Sequence, residues 1–308
     1  MTAVYLAVPE PGTAREKSRL PVASVAAVIV VFGLIVGIWY AAAIYYNTGY
    51  LALLRSETGQ LGAWNHLGLL RQWGQALNSQ APELPAPHQV LSNLWTRLTQ
   101  GPSVPGNLWV DILTTTAETV PGFVVGSLVA SVLAYLFVSS RILELSLFPY
   151  VVMSQTVPII ALVPAMVVIL GIGFTSKVVV AAYLAFYPVT VSAVKGLRSV
   201  NPLSEELMRS YAASGRQRLL KLKLPSALPF IFTGLKIGVT ASLIGAIVSE
   251  LPAGSQFGLG VAILSASANG LYINLWATIV AAGILGLILF GGVTLTERLV
   301  TRRSSARE

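Results

Sequence analysis

The chain has 308 residues, 55% of them hydrophobic and 10% charged, with mean hydropathy +0.73 and a formal net charge of +8. So little polar surface excludes a water-solvated globular domain and makes lipid the solvent of most side chains. Cysteine is absent, which excludes disulfides, thiolate metal sites and cysteine nucleophiles together.

Crossing hydrocarbon as a helix takes about 20 apolar residues, and the period-2 alternation of a closed barrel is not seen. The expected fold is therefore an all-α polytopic membrane protein. Six spans are expected, at about 22–46, 109–138, 145–171, 177–195, 227–250 and 274–298, and an even number puts both termini on one side. A tail over 1–21 carries Arg15, Lys17 and Arg19 up to the first span. The apolar run that follows is longer than the core of a secretory signal, so despite the AAA at 41–43 it is expected to persist as a transmembrane helix.

Residues 47–107 form the one long external segment. Within it, LPAPHQVLSNLWTRL sets Val90, Leu91, Leu94, Trp95 and Leu98 at helical spacing after the Pro85 and Pro87 turn. This predicts an amphipathic helix at the outer interface, anchored by Trp95, serving either as a landing surface for an external partner or as a cap on the bundle. His66 and His88 have no carboxylate or cysteine nearby in sequence and read as surface residues, so no metal site is expected.

In the third span, SQTVPIIALVPAMVVILGIG places Pro158 and Pro164 in one apolar stretch. Each removes a backbone hydrogen bond, which predicts a bent helix of the sort that lines cavities. Gln155 and Thr156, just before the first proline, are expected to face inward. With Pro158, and with Thr240 and Ser242 of the fifth span, they are the candidates for lining a pathway; helix packing is their alternative role.

Between the fourth and fifth spans lies EELMRSYAASGRQRLLKLKLP. Asn201 can cap a helix with Pro202 at its first position, and Glu205 and Glu206 suit the positive end of the dipole. A short helix is expected over about 202–213, ended by Gly215, with Leu203, Leu207, Met208, Tyr211 and Ala212 on one face. Such a face either docks a partner or lies on the chain's own helix ends. In the fifth span Lys236 is expected to snorkel to the headgroups. Glu250 closes that span before a glycine-rich turn. It is the candidate brace of an outer gate, accepting hydrogen bonds from the loop amides, with simple solvation as the alternative.

Arg15, Lys17, Arg19, Arg141, Lys195, Arg198, Arg209, Arg216, Arg218, Lys221, Lys223, Arg298, Arg302, Arg303 and Arg307 fall on the side of the termini, whereas Arg55, Arg71, Arg97 and Lys177 fall on or near the other. The first side is therefore expected to be cytoplasmic. The positive charge reads as orientation and affinity for anionic lipid rather than for nucleic acid.

The 205–225 segment resembles the inner-membrane permease subunits of bacterial ABC importers, whose signature is Glu-Ala-Ala, three residues, Gly, nine residues, Ile, one residue, Leu-Pro. Here Glu206 holds the Glu position, Leu207 and Met208 replace the alanines, Ala212 replaces the glycine, Leu222 replaces the isoleucine, and Leu224 and Pro225 match. The resemblance runs from about 84 to 299 through LPAPHQVL, TVPIIALVP, LMRSYAASG, LPSALPFIFTGLKIG and SELPAGSQFGLG. These are similar to the nitrate, sulfonate and taurine branch and its relatives for thiamine-precursor pyrimidines and riboflavin.

The resemblance implies a type I importer permease fold, with a five-helix core over 108–299 and a cytoplasmic tail over 300–308. It makes the 202–213 helix a coupling helix in a groove of a cytoplasmic ATPase subunit. Leu203, Glu206, Leu207, Met208, Arg209, Tyr211, Ala212 and Gly215 would be at that contact, with Glu206 and Arg209 pairing at its rim. No GxxxxGK[ST] loop occurs. No catalytic residue is therefore assigned and no cofactor is expected on this chain, with ATP and Mg held by the partner ATPase. Two ATPase subunits, a periplasmic binding protein, a second permease copy or a related permease, and the bilayer of the bacterial inner membrane are the implied partners and place. Transport would run by alternating access.

A secondary transporter is disfavoured because the middles of the spans look almost free of ionisable residues, and an intramembrane enzyme because neither histidine lies in a span. Only Lys177 and Lys236 are placed to meet an anionic cargo, and neither is mid-path. A small heterocycle of the thiamine-precursor pyrimidine or riboflavin type is thus the expected cargo, with sulfonate, taurine or nitrate as the alternative.

Overall fold

The computed structural model describes residues 22–101, 104, 106–252 and 255–305. The tail with Arg15, Lys17 and Arg19, residues 253 and 254 after Glu250, and Arg307 lie outside the described residues. Every regular element among the described residues is helical. The chain divides into two compact units, one ending at Leu77 and the other starting at Asn78.

The first unit is built on α1 (Val22–Glu57), α2 (Leu61–Asn65) and α3 (Leu69–Leu77). At 1.5 Å per residue the 36 residues of α1 reach about 54 Å, well beyond the roughly 30 Å of hydrocarbon. The expected span over 22–46 therefore continues for three more turns. Nothing in the sequence breaks it until Gly59, whose φ of +74° is in the left-handed region. There the amide of Gln60 bonds back to the carbonyl of Arg55 (2.8 Å) and that of Gly59 to Ser56 (3.3 Å), closing the helix in a Schellman motif. α3 returns along α1: Asn47 Nδ2 donates to the carbonyl of Ala76 (3.1 Å), and Arg55 donates to Gln75 (2.9 Å) while its guanidinium lies 4.4 Å from the Trp64 ring centroid. The part of the 47–107 segment in this unit thus holds more helix than its sequence suggests.

The second unit begins with α4 (Pro87–Thr99) and continues through α5 (Leu108–Ser139), α6 (Arg141–Met153) and a 3₁₀ turn (Ser154–Thr156) into α7 (Ile159–Leu170). α8 (Phe174–Leu197), α9 (Pro202–Ser210) and α10 (Gly215–Arg218) follow. A π turn (Leu219–Lys223) then runs into α11 (Leu224–Glu250), and α12 (Leu259–Ala268) and α13 (Tyr272–Ser305) complete the chain. α1, α5, α8, α13 and the continuous Gly215–Glu250 helix are each long and apolar enough to cross a membrane. α6 and α7 together form a sixth candidate, bent by 106°. The bend falls at Val157–Pro158, where the proline forces the preceding residue to an extended ψ of 121°. Pro164, in contrast, sits inside α7 without breaking it, so one proline of the pair makes the bend.

α5, α8 and α11 form the core of this unit. In lipid no hydrophobic effect pulls helices together, so close backbone approach at small residues has to do it. Gly126 shows how tight the approach is: a Cβ there would lie 2.5 Å from the carbonyl oxygen of Ala182. Gly245 of α11 likewise backs onto Ala181 and Val180 of α8. At one end of this core Arg198 grips Glu144 with two hydrogen bonds (2.8 and 2.7 Å), and Arg141 adds a third (2.7 Å), fastening the start of α6 to the end of α8.

The amphipathic helix predicted after Pro87 forms as α4, but its apolar residues divide. Pro87, Val90 and Leu94 are buried, whereas Leu91 and Trp95 are exposed, Trp95 by 71%. Arg97, expected as an external basic residue, is instead buried. Its Nε donates to the carbonyl of Gly106 (2.8 Å), Nη1 to Thr278 (2.9 Å) and to the carbonyl of Asn274 (3.4 Å), and Nη2 lies 3.9 Å from Asp111. Burial pulls its pKa below the ordinary arginine value, and Asp111 opposes that only in part.

Candidate functional site

Two places in the second unit concentrate polar chemistry: α9 with the basic stretch behind it, and a buried cluster where the start of α5 meets the end of α11. α9 starts as its sequence dictates, with Asn201 Oδ1 accepting from the Leu203 amide (3.0 Å) and Pro202 at the first turn. It ends at Ser210, earlier than 213. The amides of Ala212 and Ala213 bond back to the carbonyls of Arg209 (2.9 Å) and Met208 (3.0 Å), and Ala212 takes a φ of +53°. Gly215 does not end this helix. It opens α10, capped by Ser214, whose Oγ accepts from the Gln217 amide (3.3 Å) while Gln217 Oε1 accepts from the Ser214 amide (2.8 Å). The left-handed residue is Ala212, the position where the resembled signature has glycine, and glycine takes that conformation without a Cβ clash.

Leu203, Leu207 and Tyr211, at i, i+4 and i+8, are 71%, 57% and 77% exposed. The chain's own helix ends do not cover this row, which removes the self-packing alternative. Met208 is half-buried, and Glu206 is exposed. Within the chain Arg209 turns to Glu205 (3.5 Å) rather than to Glu206. Glu205 also meets Lys223 (3.4 Å) and Arg218 (3.7 Å), tying α9 to the stretch that leads into α11. Burial pushes the Glu205 carboxyl up, but Lys223 and Arg209 outweigh it and hold the group below the ordinary carboxylate value.

At the other place, Asp111, Thr115 and Glu118 share one face of α5 and are all buried. Glu250 at the end of α11 is fully buried, so the solvated reading of this residue is wrong. One of its oxygens accepts from Thr115 Oγ1 (2.6 Å), the other from the amide of Gly260 (2.5 Å). Thr115 Oγ1 in turn accepts from the amide of Leu259 (2.9 Å), and Asp111 accepts from that of Gly258 (3.1 Å). Three successive amides at the start of α12 are thereby held by α5 and α11. A Cβ on Gly258 would meet the Glu250 carboxyl carbon at 2.4 Å, and one on Gly260 the carbonyl oxygen of Ile247 at 2.2 Å.

Lys177 also belongs to this cluster. Its Nζ lies 2.6 Å from Glu118, both side chains buried, which corrects its reading as an uncommitted cation near the end of a span. Lys236, expected to snorkel, is half-buried and paired with Glu297 at 2.5 Å. Asp111, Thr115 and Glu118 are not among the site residues expected from sequence. Their i, i+4, i+7 spacing on an otherwise apolar helix was the available signal.

Of the pathway candidates, Gln155, Thr156 and Pro158 lie exposed at the α6–α7 bend, and Thr240 is half-buried on α11. Ser242 lines nothing. It is fully buried and donates to the carbonyl of Thr119 (3.0 Å), fastening α11 to α5.

Long apolar helices joined by close glycine contacts, one of them sharply broken, define a polytopic α-helical membrane protein. Residues 122–304 match the binding-protein-dependent transport system inner membrane component family, and the chain belongs to that family. Among its relatives are the formylaminopyrimidine transport permease protein ThiX of Halalkalibacterium halodurans (36% identical over 51% of this chain and 62% of that protein) and the riboflavin transport system permease protein RibX of Chloroflexus aurantiacus (32% over 71% and 80%). The taurine transport system permease protein TauC of Escherichia coli is 30% identical over 71% of this chain and 79% of that protein.

The chain is thus a permease subunit of an ABC importer, a multi-pass protein of the inner membrane and a transport component rather than an enzyme. Its family implies an ATPase and a substrate-binding protein as partners.

Proposed function

We propose that two permease chains, identical or related, sit over two ATPase subunits that hold ATP and Mg, and that α9 is the coupling helix that each ATPase engages. The termini and α9 face the cytoplasm in this reading. The observation that carries it is the exposed row Leu203, Leu207 and Tyr211, standing on a helix that Glu205 fixes to a basic stretch. The row would fill an apolar groove, with Glu206, Met208, Arg209 and Ala212 around it and Gly215 in the following turn. ATP binding would draw the two α9 helices together and open the bundle outward, and hydrolysis would reset it.

The cargo in this reading is a small heterocycle of the thiamine-precursor pyrimidine or riboflavin type, handed over by the external binding protein. A desolvated anion needs a cation or several aimed donors. The two lysines that could have met one, Lys177 and Lys236, are both committed to carboxylates. The names of the ThiX and RibX relatives support the same class. Gln155, Thr156, Pro158 and Thr240 are the path-lining residues of this proposal.

Calorimetry on the cognate binding protein tests the cargo. Tight binding of a pyrimidine or flavin with no response to taurine is the expected result. Tight binding of taurine or an alkyl sulfonate, with none of any heterocycle, would overturn the cargo and leave the permease assignment standing.

A further inference from the structure

Around the start of α12, the α5–α8–α11 core buries two carboxyl groups, Glu118 and Glu250, and a single ammonium, that of Lys177. The other nearby carboxylate, Asp111, has its own partner in Arg97 and accepts from the Gly258 amide. Among the described residues no further cation reaches the cluster, so with every group ionised it would carry one uncompensated negative charge in the buried core. An unpaired charge in such surroundings is neutralised rather than kept.

The hydrogen bonds show where the neutralising proton belongs. Glu118 Oε1 takes the Lys177 ammonium, and Glu118 Oε2 is buried with no donor of its own. Thr115, one turn before Glu118 on the same buried face of α5, donates to Glu250 and so brings the Glu250 carboxyl beside Glu118; the two Glu250 oxygens already accept from Thr115 and Gly260. Two carboxyl groups buried beside one another, one of them with an oxygen that lacks a donor, are held together only if a proton lies between them.

We propose that Glu118 and Glu250 share one proton, formally carried by Glu250 and donated to Glu118 Oε2, so that Lys177, Glu118 and Glu250 form a neutral clasp joining α8, α5 and α11. Through Glu250 and Thr115 the clasp also fixes the amides of Gly260 and Leu259. The start of α12, from Gly258 to Gly260, is therefore fastened to the core. Glu250 is a positioning residue in this scheme and touches no cargo. The functional weight of the clasp rests on the transporter reading above, whereas the location of the proton does not.

The test is a set of substitutions in the full complex with its ATPase. A carboxamide at 250 can still donate to Glu118 through its NH₂ while its oxygen accepts from Thr115 or Gly260. Glu250→Gln should therefore accumulate normally and keep uptake within about twofold of the parent, whereas Glu250→Ala should lose it. Glu118→Gln strands the buried Lys177 ammonium and should reduce uptake about tenfold or more, and adding Lys177→Met should recover part of the loss.

Infrared difference spectra of the purified complex, parent minus Glu250→Gln, should contain the C=O band of a protonated carboxyl group. A merely structural carboxylate at 250 would give no such band. A difference spectrum without it would overturn the shared proton, and failure of Glu250→Gln to accumulate, or uptake by Glu250→Gln as poor as that of Glu250→Ala, would overturn the neutral clasp.

Discussion

Single side chains decide where helices stop and how near they come. Ala212 stands in the left-handed region, where a Cβ costs about 1–2 kcal/mol. Ala212→Gly should stabilise the α9 turn by about 0.5–1 kcal/mol after the added freedom of the unfolded glycine is subtracted, measured as a rise in the melting temperature of the purified chain. Gly260→Ala should act in the opposite sense, since its Cβ would meet the Ile247 carbonyl oxygen at 2.2 Å, and destabilise by several kcal/mol. Gly215→Ala, with open space around the new Cβ, should be silent in the same assay. From sequence Gly215 looked like the stop and Ala212 like one more residue of the apolar face. Which of two nearby residues adopts positive φ depends on whether Ser214 caps the next turn, and that is a three-dimensional outcome.

At the scale of elements, starts were more legible than ends. Asn201–Pro202 marked the first turn of α9, and Pro158 marked the bend, because each acts through its own backbone. α3, the extension of α1 and the interior place of Pro164 were not legible, since tertiary contacts rather than local signals settle them. α4 shows the limit of periodicity. It gives the helix but not which apolar residues turn inward, and nothing in the pattern put Arg97 in the core. Arg97→Ala should therefore cost about 2–4 kcal/mol, read as a fall in melting temperature, because Gly106, Asn274, Thr278 and Asp111 all lose a donor or ion partner. Trp95→Ser, on the exposed side of the same helix, should leave stability within about 0.5 kcal/mol of the parent.

The whole molecule was the most legible level, because mean hydropathy and the lengths of the apolar runs fix the solvent before any contact is known. The polar cluster was the least legible. Its members come from α5, α8, α11 and the start of α12, and no single segment carries it. The proposed sidedness rests on the placement of Lys and Arg. Cysteines replacing Ser79 and Ser214 in this cysteine-free chain should label from opposite sides, Ser79 from outside and Ser214 only after permeabilisation. Labelling of both from one side would rule out the proposed arrangement.

The central claim is that this chain is the pathway of an ATP-driven importer and is worked through α9. Its most direct test is uptake of the binding protein's ligand into proteoliposomes holding the complete transporter, comparing the parent with Leu207→Asp. Leu207 is 57% exposed in the isolated chain, so the aspartate should not disturb folding or insertion. In the docked complex it would bury an unpaired charge, at a penalty of roughly several kcal/mol. The account predicts an inserted protein that no longer retains the ATPase and shows no ATP-dependent uptake. Uptake at the parent's rate with the ATPase still bound would contradict it.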